Sequence, residues 1–289
     1  MAQFEYLAPT TAEEAARALS APGAKALSGG TDLLVQLKSG RARPQVVVDL
    51  KRIAGMVGVR EEHGGFVIGG ATCGALLGEH AALSRAWPGV VEGANLIGST
   101  QVQGRASLAG NLCNASPAAD SVPCMIAGRA TCVIVGPNGR REAPVESICT
   151  GPGQTSLAPG EFVYEIRLPA RPARASDAYL RMIPRTEMDI AVVGAGVNLV
   201  LDPAGVITEA HVALGAVAPT ALLVAEASQA IVGSKLDEAA LGRLDAAARA
   251  ACRPIDDKRG TVDYRIKVAG VLARRAAAIA YQRAGGAAA

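Results

Sequence analysis

Aromatic side chains are scarce in this chain: three Phe, five Tyr and one Trp among 289 residues. That argues against exposed ring platforms for stacking bases, and it leaves Ala, Val, Leu and Ile to fill the interior. An excess of one charge is also missing. Lys and Arg number 29 against 26 Asp and Glu, spread along the chain. No basic stripe faces a phosphodiester, so no nucleic-acid partner is expected. No window approaches a run of apolar residues long enough for a membrane span. The opening MAQFEYLAPTTAEEAARALS has no charged stretch followed by an apolar one, so no signal peptide is expected. Six cysteines, Cys73, Cys113, Cys124, Cys132, Cys149 and Cys252, form no CxxC pair. They read as reduced thiols of a cytoplasmic protein, with no metal site. His63, His80 and His211 stand far apart in polar surroundings and read as surface or structural residues. Neither GxGxxG after the first strand nor GxxxxGK[ST] is present, which disfavours a Rossmann dinucleotide site and a P-loop.

What is present is a composition for a packed core, half hydrophobic and 19% charged. The length suits one large domain or two ordinary ones. Glycine is abundant, 33 residues without a repeat period, where ordinary usage is roughly 7%. Glycine lets a ligand approach the main chain, so glycine-rich loops between elements are candidate binding sites.

The pattern along the chain predicts α+β structure. Thr11 and Glu14 form a capping box that opens a helix ending near Ser20. A strand over Ala24–Ser28, a helix over Thr31–Lys38 and a strand over Val46–Leu50 make a βαβ-like unit. Met56–Arg60 and Phe66–Gly69 read as a hairpin. Helices follow over Gly74–Ala86 and Val90–Ile97, and another runs from Pro117 to about Gly128. Thr131–Val135 and Arg140–Val145 flank Pro-Asn-Gly, a hairpin signal, and Glu161–Leu168 is a strand. Pro169–Ala175 reads as a hinge. Beyond it come strands over Ala191–Leu201 and Ile207–Leu214, then helices over Thr220–Val232, Asp237–Ala251 and Thr261–Ala284. The tail Gly285–Ala289 is expected to be disordered. The domains expected are 1–172, with lobes of about 1–55 and 56–172, and 176–284.

Two glycine loops stand out. One is Ser28-Gly29-Gly30-Thr31-Asp32-Leu33, between strand and helix. The other lies in GRASLAGNLCNASPAAD, residues 104–120, where fifteen of seventeen residues are uncharged. Each can present consecutive backbone N–H groups to an anion, and the first has a helix N-terminus behind it. A diphosphate held between them needs no Lys or Arg, and Asp120 downstream suits ribose hydroxyls. Ordinary turns remain the bland alternative for both.

GGTDLL (29–34) and ASLAGNLCNASPAAD (106–120) resemble the two FAD-diphosphate loops of the flavoprotein subunit of molybdenum hydroxylases. That family comprises the medium subunits of carbon monoxide dehydrogenase and related enzymes and the central domain of xanthine dehydrogenase. IGSTQVQGRAS (97–107), RMIPRTEMDIAVVGAGVNLVLD (181–202), ALGAVAPTAL (213–222) and YRIKVAGVLARRA (264–276) resemble its further landmarks in order. The resemblance covers nearly the whole chain. It implies a PCMH-type, vanillyl-alcohol-oxidase-like FAD-binding domain followed by a smaller α+β domain, a sheet covered by helices. It implies non-covalent FAD bound by Ala26, Leu27, Ser28, Gly29, Gly30, Thr31, Asp32 and Leu33 and by Ser107, Leu108, Ala109, Gly110, Asn111 and Asn114. Asp120 matches the acidic residue that reaches the cofactor's sugar, Ile97 the residue against adenine, and Val163 a residue near the flavin. Arg181 falls where a relative has Lys near the flavin's pyrimidine carbonyl; it keeps the charge on a bulkier head.

Two departures bear on the second loop. Ala109 stands where the family usually has Gly, which costs about 1 kcal/mol if that position needs positive φ. Gln103 stands where Arg is frequent. No Cys-rich insert for an extra [4Fe-4S] cluster interrupts residues 123–139. The resemblance implies an electron-transfer subunit without catalytic acid, base or metal. A large molybdopterin subunit and a small subunit with [2Fe-2S] clusters are its implied partners, in a dimer of heterotrimers. NAD⁺, a quinone or oxygen is the implied acceptor. The competing readings are a self-contained flavin oxidoreductase on the same fold and a scaffold that has lost FAD.

Overall fold

The computed structural model describes residues 3–286. The chain opens with β1 (Glu5–Leu7), α1 (Ala12–Leu19), β2 (Lys25–Leu27), α2 (Leu33–Lys38) and β3 (Val46–Asp49). Their strands form a parallel sheet in the order β1-β3-β2. The βαβ expectation holds, and β1 adds an edge that its three residues were too short to announce. Glu14 N–H donates to Thr11 Oγ1 at 3.2 Å, while Glu14 Oε2 accepts from Thr10 N–H at 3.3 Å, so the α1 cap forms as predicted. Ala12, Ala15, Ala16 and Leu19 bury one face of the helix.

The second lobe contains β4 (Val59–Glu62), β5 (Gly65–Gly69), α3 (Gly74–Glu79), α4 (Ala81–Ala86), α5 (Pro88–Asn95), α6 (Thr100–Gln103), α7 (Leu108–Cys113), α8 (Ser121–Ala127), β6 (Thr131–Gly136), β7 (Gly139–Pro144), β8 (Cys149–Gly151), β9 (Gln154–Thr155) and β10 (Phe162–Leu168). An antiparallel sheet runs β4-β5-β10-β6-β7, and β8 pairs with β9. Three expectations are corrected here. The first hairpin starts three residues later, because its turn is His63-Gly64, both with positive φ, and Met56 is buried in the core instead. The helix expected over Gly74–Ala86 breaks at His80, whose Nδ1 accepts from Leu83 N–H and caps α4. The helix expected from Pro117 begins at Ser121, with Pro123 in its first turn, where no N–H is needed. The second glycine loop, within residues 104–120, contains α7.

The C-terminal part is β11 (Ala175–Met182), β12 (Val193–Leu201), β13 (Ile207–Gly215), β14 (Leu222–Leu223), α9 (Ala225–Gln229), α10 (Glu238–Ala251) and α11 (Val262–Arg283). Its antiparallel sheet runs β11-β12-β13-β14. β11 was not read from the sequence, and the helix expected over Thr220–Val232 shrinks to α9 behind β14. Of the tail expected to be disordered, Gly286 N–H bonds to Tyr281 O at 2.9 Å and Gly285 O accepts from Arg174 at 3.1 Å. Residues 287–289 lie outside the described residues. Ala269, Ala273, Ala276, Ala277 and Ala280 of α11 are fully buried. Alanine lets this helix lie close on the sheet, which compensates for the missing aromatic volume.

β11 joins the two parts of the molecule. Ala178 faces the α10–α11 layer, while Asp177, Tyr179 and Arg181 face the first domain, as strand alternation requires. Asp177 accepts from Val90 N–H at 3.1 Å and from Arg171 at 3.0 Å. The Arg171 guanidinium lies 3.7 Å from the centre of the Trp87 ring. Glycines bring backbone against backbone beside these contacts. A Cβ on Gly196 would lie 2.8 Å from Pro123 O and 2.9 Å from Cys124 Cα, and one on Gly89 2.8 Å from Ala178 N. Gly196→Val is therefore expected to force β12 off α8 and to destabilise the chain by about 1–3 kcal/mol or more. Denaturant unfolding of parent and variant checks this.

Candidate functional site

A cleft of about 220 Å³ opens between the two lobes of the first domain. It is lined by both glycine loops and by the start of β10. Of the residues singled out in the sequence, Ala26, Ser28, Gly29, Gly30, Thr31, Asp32, Leu33, Ile97, Ser107, Ala109, Gly110, Asn111, Asn114 and Val163 line it. Leu27, Leu108, Asp120 and Arg181 do not.

The first loop runs from the end of β2 to the start of α2. Among the described residues, the N–H groups of Gly29 through Leu33 meet no protein acceptor, a row of five bare donors. Gly30 adopts φ +78°, which only glycine takes without strain. Gly29 is required for another reason. A Cβ there would lie 1.9 Å from the carbonyl oxygen of Arg105, so the two lobes meet backbone to backbone. Asp32 lines the cleft but remains exposed, and partial desolvation there raises its carboxyl above the usual range.

The second loop is the N-terminal turn of α7. Ser107 caps it, its Oγ accepting from Gly110 N–H at 3.1 Å. The Ser107 and Ser28 hydroxyls are 2.8 Å apart, which ties one glycine loop to the other. Ala109 is helical and does not have positive φ. Alanine in place of glycine at this position therefore carries no backbone strain and favours the helix. At the end of α7, Asn114 Oδ1 accepts from Gln36 Nε2 at 3.4 Å, a second bridge between the lobes. Asn111 Oδ1 accepts from Ser121 Oγ at 2.7 Å and so links the cleft wall to α8.

Asp120, next to Ser121, lies just behind that wall. Its Oδ1 accepts from Tyr179 OH at 2.9 Å and its Oδ2 from Arg181 Nη1 at 2.6 Å. Both partners come from β11. Burial raises the Asp120 carboxyl to about 6, against the lowering pull of Arg181 and Tyr179.

The sequence reading missed Gln36, Gly70, Ala106, Phe162, Leu157 and Lys25, which also line the cleft. For Gln36 a signal existed. It lies one helical turn after Asp32, on the same face of α2. Phe162 reaches the cleft through the pairing of β10 with β6, which no local pattern reveals.

The raised Asp120 value sets a direction for stability. The folded state holds this proton more tightly than the unfolded chain, whose aspartates titrate near about 4. The resulting stabilisation is complete below that range and is lost as pH rises through about 6. Asp120→Asn does not titrate. The Tm advantage of the parent over this variant is expected to shrink between pH 4.5 and pH 7. Thermal scans of the flavin-free chains at the two pH values measure it.

Known proteins share this architecture. Residues 2–171 match the family model of the FAD binding domain in molybdopterin dehydrogenase, and residues 178–280 that of the CO dehydrogenase flavoprotein C-terminal domain. The chain is similar to the carbon monoxide dehydrogenase medium chain of Hydrogenophaga pseudoflava, 34% identical over 283 residues that cover 97% of this chain and 98% of that one. It is 30% identical to a putative xanthine dehydrogenase FAD-binding subunit of Escherichia coli K12 over 267 residues, 92% of this chain and 91% of the other. Its fold is similar to the solved carbon monoxide dehydrogenase of H. pseudoflava that lacks the Mo-pyranopterin moiety, with a TM-score of 0.92, 35% identity, and 97% and 98% of the two chains covered. The expected α+β class, an FAD-binding domain before a smaller C-terminal domain, is the one found. The chain belongs to the family of FAD-binding subunits of molybdopterin dehydrogenases: its cofactor is FAD, and it is the flavoprotein subunit of a multi-subunit oxidoreductase.

Proposed function

We propose that the cleft between the lobes holds the FAD non-covalently, with its diphosphate between Ser28–Leu33 and the first turn of α7. The row of acceptor-free N–H groups from Gly29 to Leu33 carries this reading. Five bare donors beside a helix start are costly unless water or an anion satisfies them. The residues suit the group. Small side chains leave the amides of Gly29 to Leu33 open, while in α7 those of Gly110 and Asn111 are already bonded to Ser107, and Gly29 fits only with no side chain. Ser28–Leu33 and Ser107–Asn111 contain no His or Cys for covalent attachment, and Cys113, which lines the cleft at the end of α7, has a thiol that desolvation pushes up to about 12. Ala26, Asn114, Ile97 and Val163 complete the proposed contacts; Leu27, Leu108, Asp120 and Arg181 lie outside the cleft lining, so Asp120 and Arg181 are placed to support its wall and not to touch the sugar or the flavin. Asp120 and Arg181 already form a buried pair, so their charges are held in place before the cofactor arrives. The domain boundary is drawn between residues 172 and 176, so that Arg181, on β11 of the second domain, reaches Asp120 of the first.

When bound, FAD supplies the link between one-electron and two-electron transfer. The chain's own residues bind and orient it. None in the cleft is assigned as a catalytic acid or base. We infer that electrons come from [2Fe-2S] clusters of a small partner subunit and that substrate is oxidised on a large molybdopterin subunit. The proposed assembly is a dimer of heterotrimers in the cytoplasm, passing electrons to NAD⁺, a quinone or oxygen. Among the described residues no helix is long and apolar enough to cross a membrane.

Two outcomes test this reading. Gly29→Ala is expected to push the first loop off Arg105 and empty the cleft. The measure is flavin content after acid release, set against the circular dichroism of the folded chain. Substrate is expected not to bleach the flavin of the isolated chain, and bleaching is expected once the two partner subunits are added. Turnover by the chain alone would instead make it a self-contained oxidoreductase.

A further inference from the structure

We propose that Lys51 is a positioning residue for the cofactor: its ammonium holds the Ser28 carbonyl away from the cleft and so aims the Gly29 N–H into it. The proposal rests on the assignment of Gly29–Leu33 to the FAD diphosphate.

Lys51 follows β3. Its Nζ lies 2.9 Å from Ser28 O and 2.7 Å from Asp49 Oδ1. Asp49 is itself fixed. It is buried, its Oδ1 also accepts from Lys51 N–H at 3.0 Å, and its Oδ2 accepts from Tyr6 OH at 2.6 Å. The bonds to Lys51 and Tyr6 outweigh burial and keep the Asp49 carboxyl below its usual range. Three elements, β1, β3 and the turn after β3, therefore hold one ammonium in place. That ammonium carries a charge-assisted bond to one carbonyl of the glycine loop.

The consequence follows from peptide geometry. In a trans peptide the C=O and the N–H point in opposite directions. Committing Ser28 C=O to Lys51 turns the Gly29 N–H the other way, and it is the first of the bare donors. The alternative orientation is cheap here. Rotating the peptide changes ψ of Ser28 and φ of Gly29, and glycine accepts either sign of φ. The rotated peptide would present a carbonyl oxygen to the diphosphate, where like partial charges repel. Lys51 selects one of two accessible orientations, at a residue that must be glycine because of Arg105.

The test uses the full-length chain freed of flavin and titrated with FAD, following quenching of flavin fluorescence. Lys51→Met is expected to raise the Kd about tenfold, equivalent to about 1.4 kcal/mol. Lys51→Arg, which keeps a cationic donor, is expected to recover most of the affinity. Because Lys51→Met also leaves the Asp49 carboxylate buried without its cation, Lys51→Met with Asp49→Asn is the deciding variant. It is expected to keep the raised Kd while its flavin-free Tm returns toward that of the parent. A Kd for the double variant within about twofold of the parent overturns the proposal and leaves Lys51 a structural partner of Asp49. Failure of Lys51→Arg to restore binding overturns it too. If Gly29→Ala binds FAD as the parent does, the loop assignment fails and the role of Lys51 falls with it; lost binding in Gly29→Ala beside a parent-like Kd in the double variant overturns the role of Lys51 alone.

Discussion

The contact on which the rest depends is that of Gly29 with the carbonyl of Arg105, where the lobes touch with no side chain between them. A site that holds an anion on backbone N–H groups needs those groups bare, close together and aimed the same way. Bare amides require small side chains. Closeness requires that the two loops share an edge, and Ser28–Ser107 and Gln36–Asn114 fasten that edge from both sides. Aim requires that each peptide be locked. In the second loop α7 does this by being a helix, and in the first a side chain bond to Ser28 does it. The composition that seemed blank, small and nearly uncharged, is what this arrangement demands.

A second constraint comes from the C-terminal sheet. One face of β11 carries Asp177, Tyr179 and Arg181 into the first domain, where each finds a partner from another element. Buried charges are tolerated because they are paired. The Arg181–Asp120 pair lies one residue from the Asn111–Ser121 bond, so the second domain is mechanically continuous with the cleft wall. Glycines at 89 and 196 let the backbones close to contact, and a joint made this way has little room to move.

The helix over α11 and the βαβ unit were legible because their apolar spacing is regular, and Thr11–Glu14 announced a cap that formed. β11 was not legible. Its sequence ASDAYLRM alternates charge with small or apolar residues, which in isolation resembles a solvated turn after the prolines. It is a strand because both of its faces are covered, one by helices and one by the other domain. α7 was hidden for a related reason. Leu-Ala-Gly-Asn-Leu-Cys has one apolar face only when Ser107 caps it and the second lobe packs beneath it.

The sequence alone singled out two loops suited to binding through the main chain: no excess of cations, no P-loop, and glycine with small polar residues in two places. Local spacing is enough for that, because the chemistry of a bare amide needs only the absence of bulk. Tertiary structure decided which amides are bare and where they aim. Ala109 is harmless because a helix forms there, Asp120 stands behind the wall because β11 claims it, and Ser28 turns outward because Lys51, 23 residues later, lies against it. These are contacts between elements distant in the chain, and no local pattern contains them.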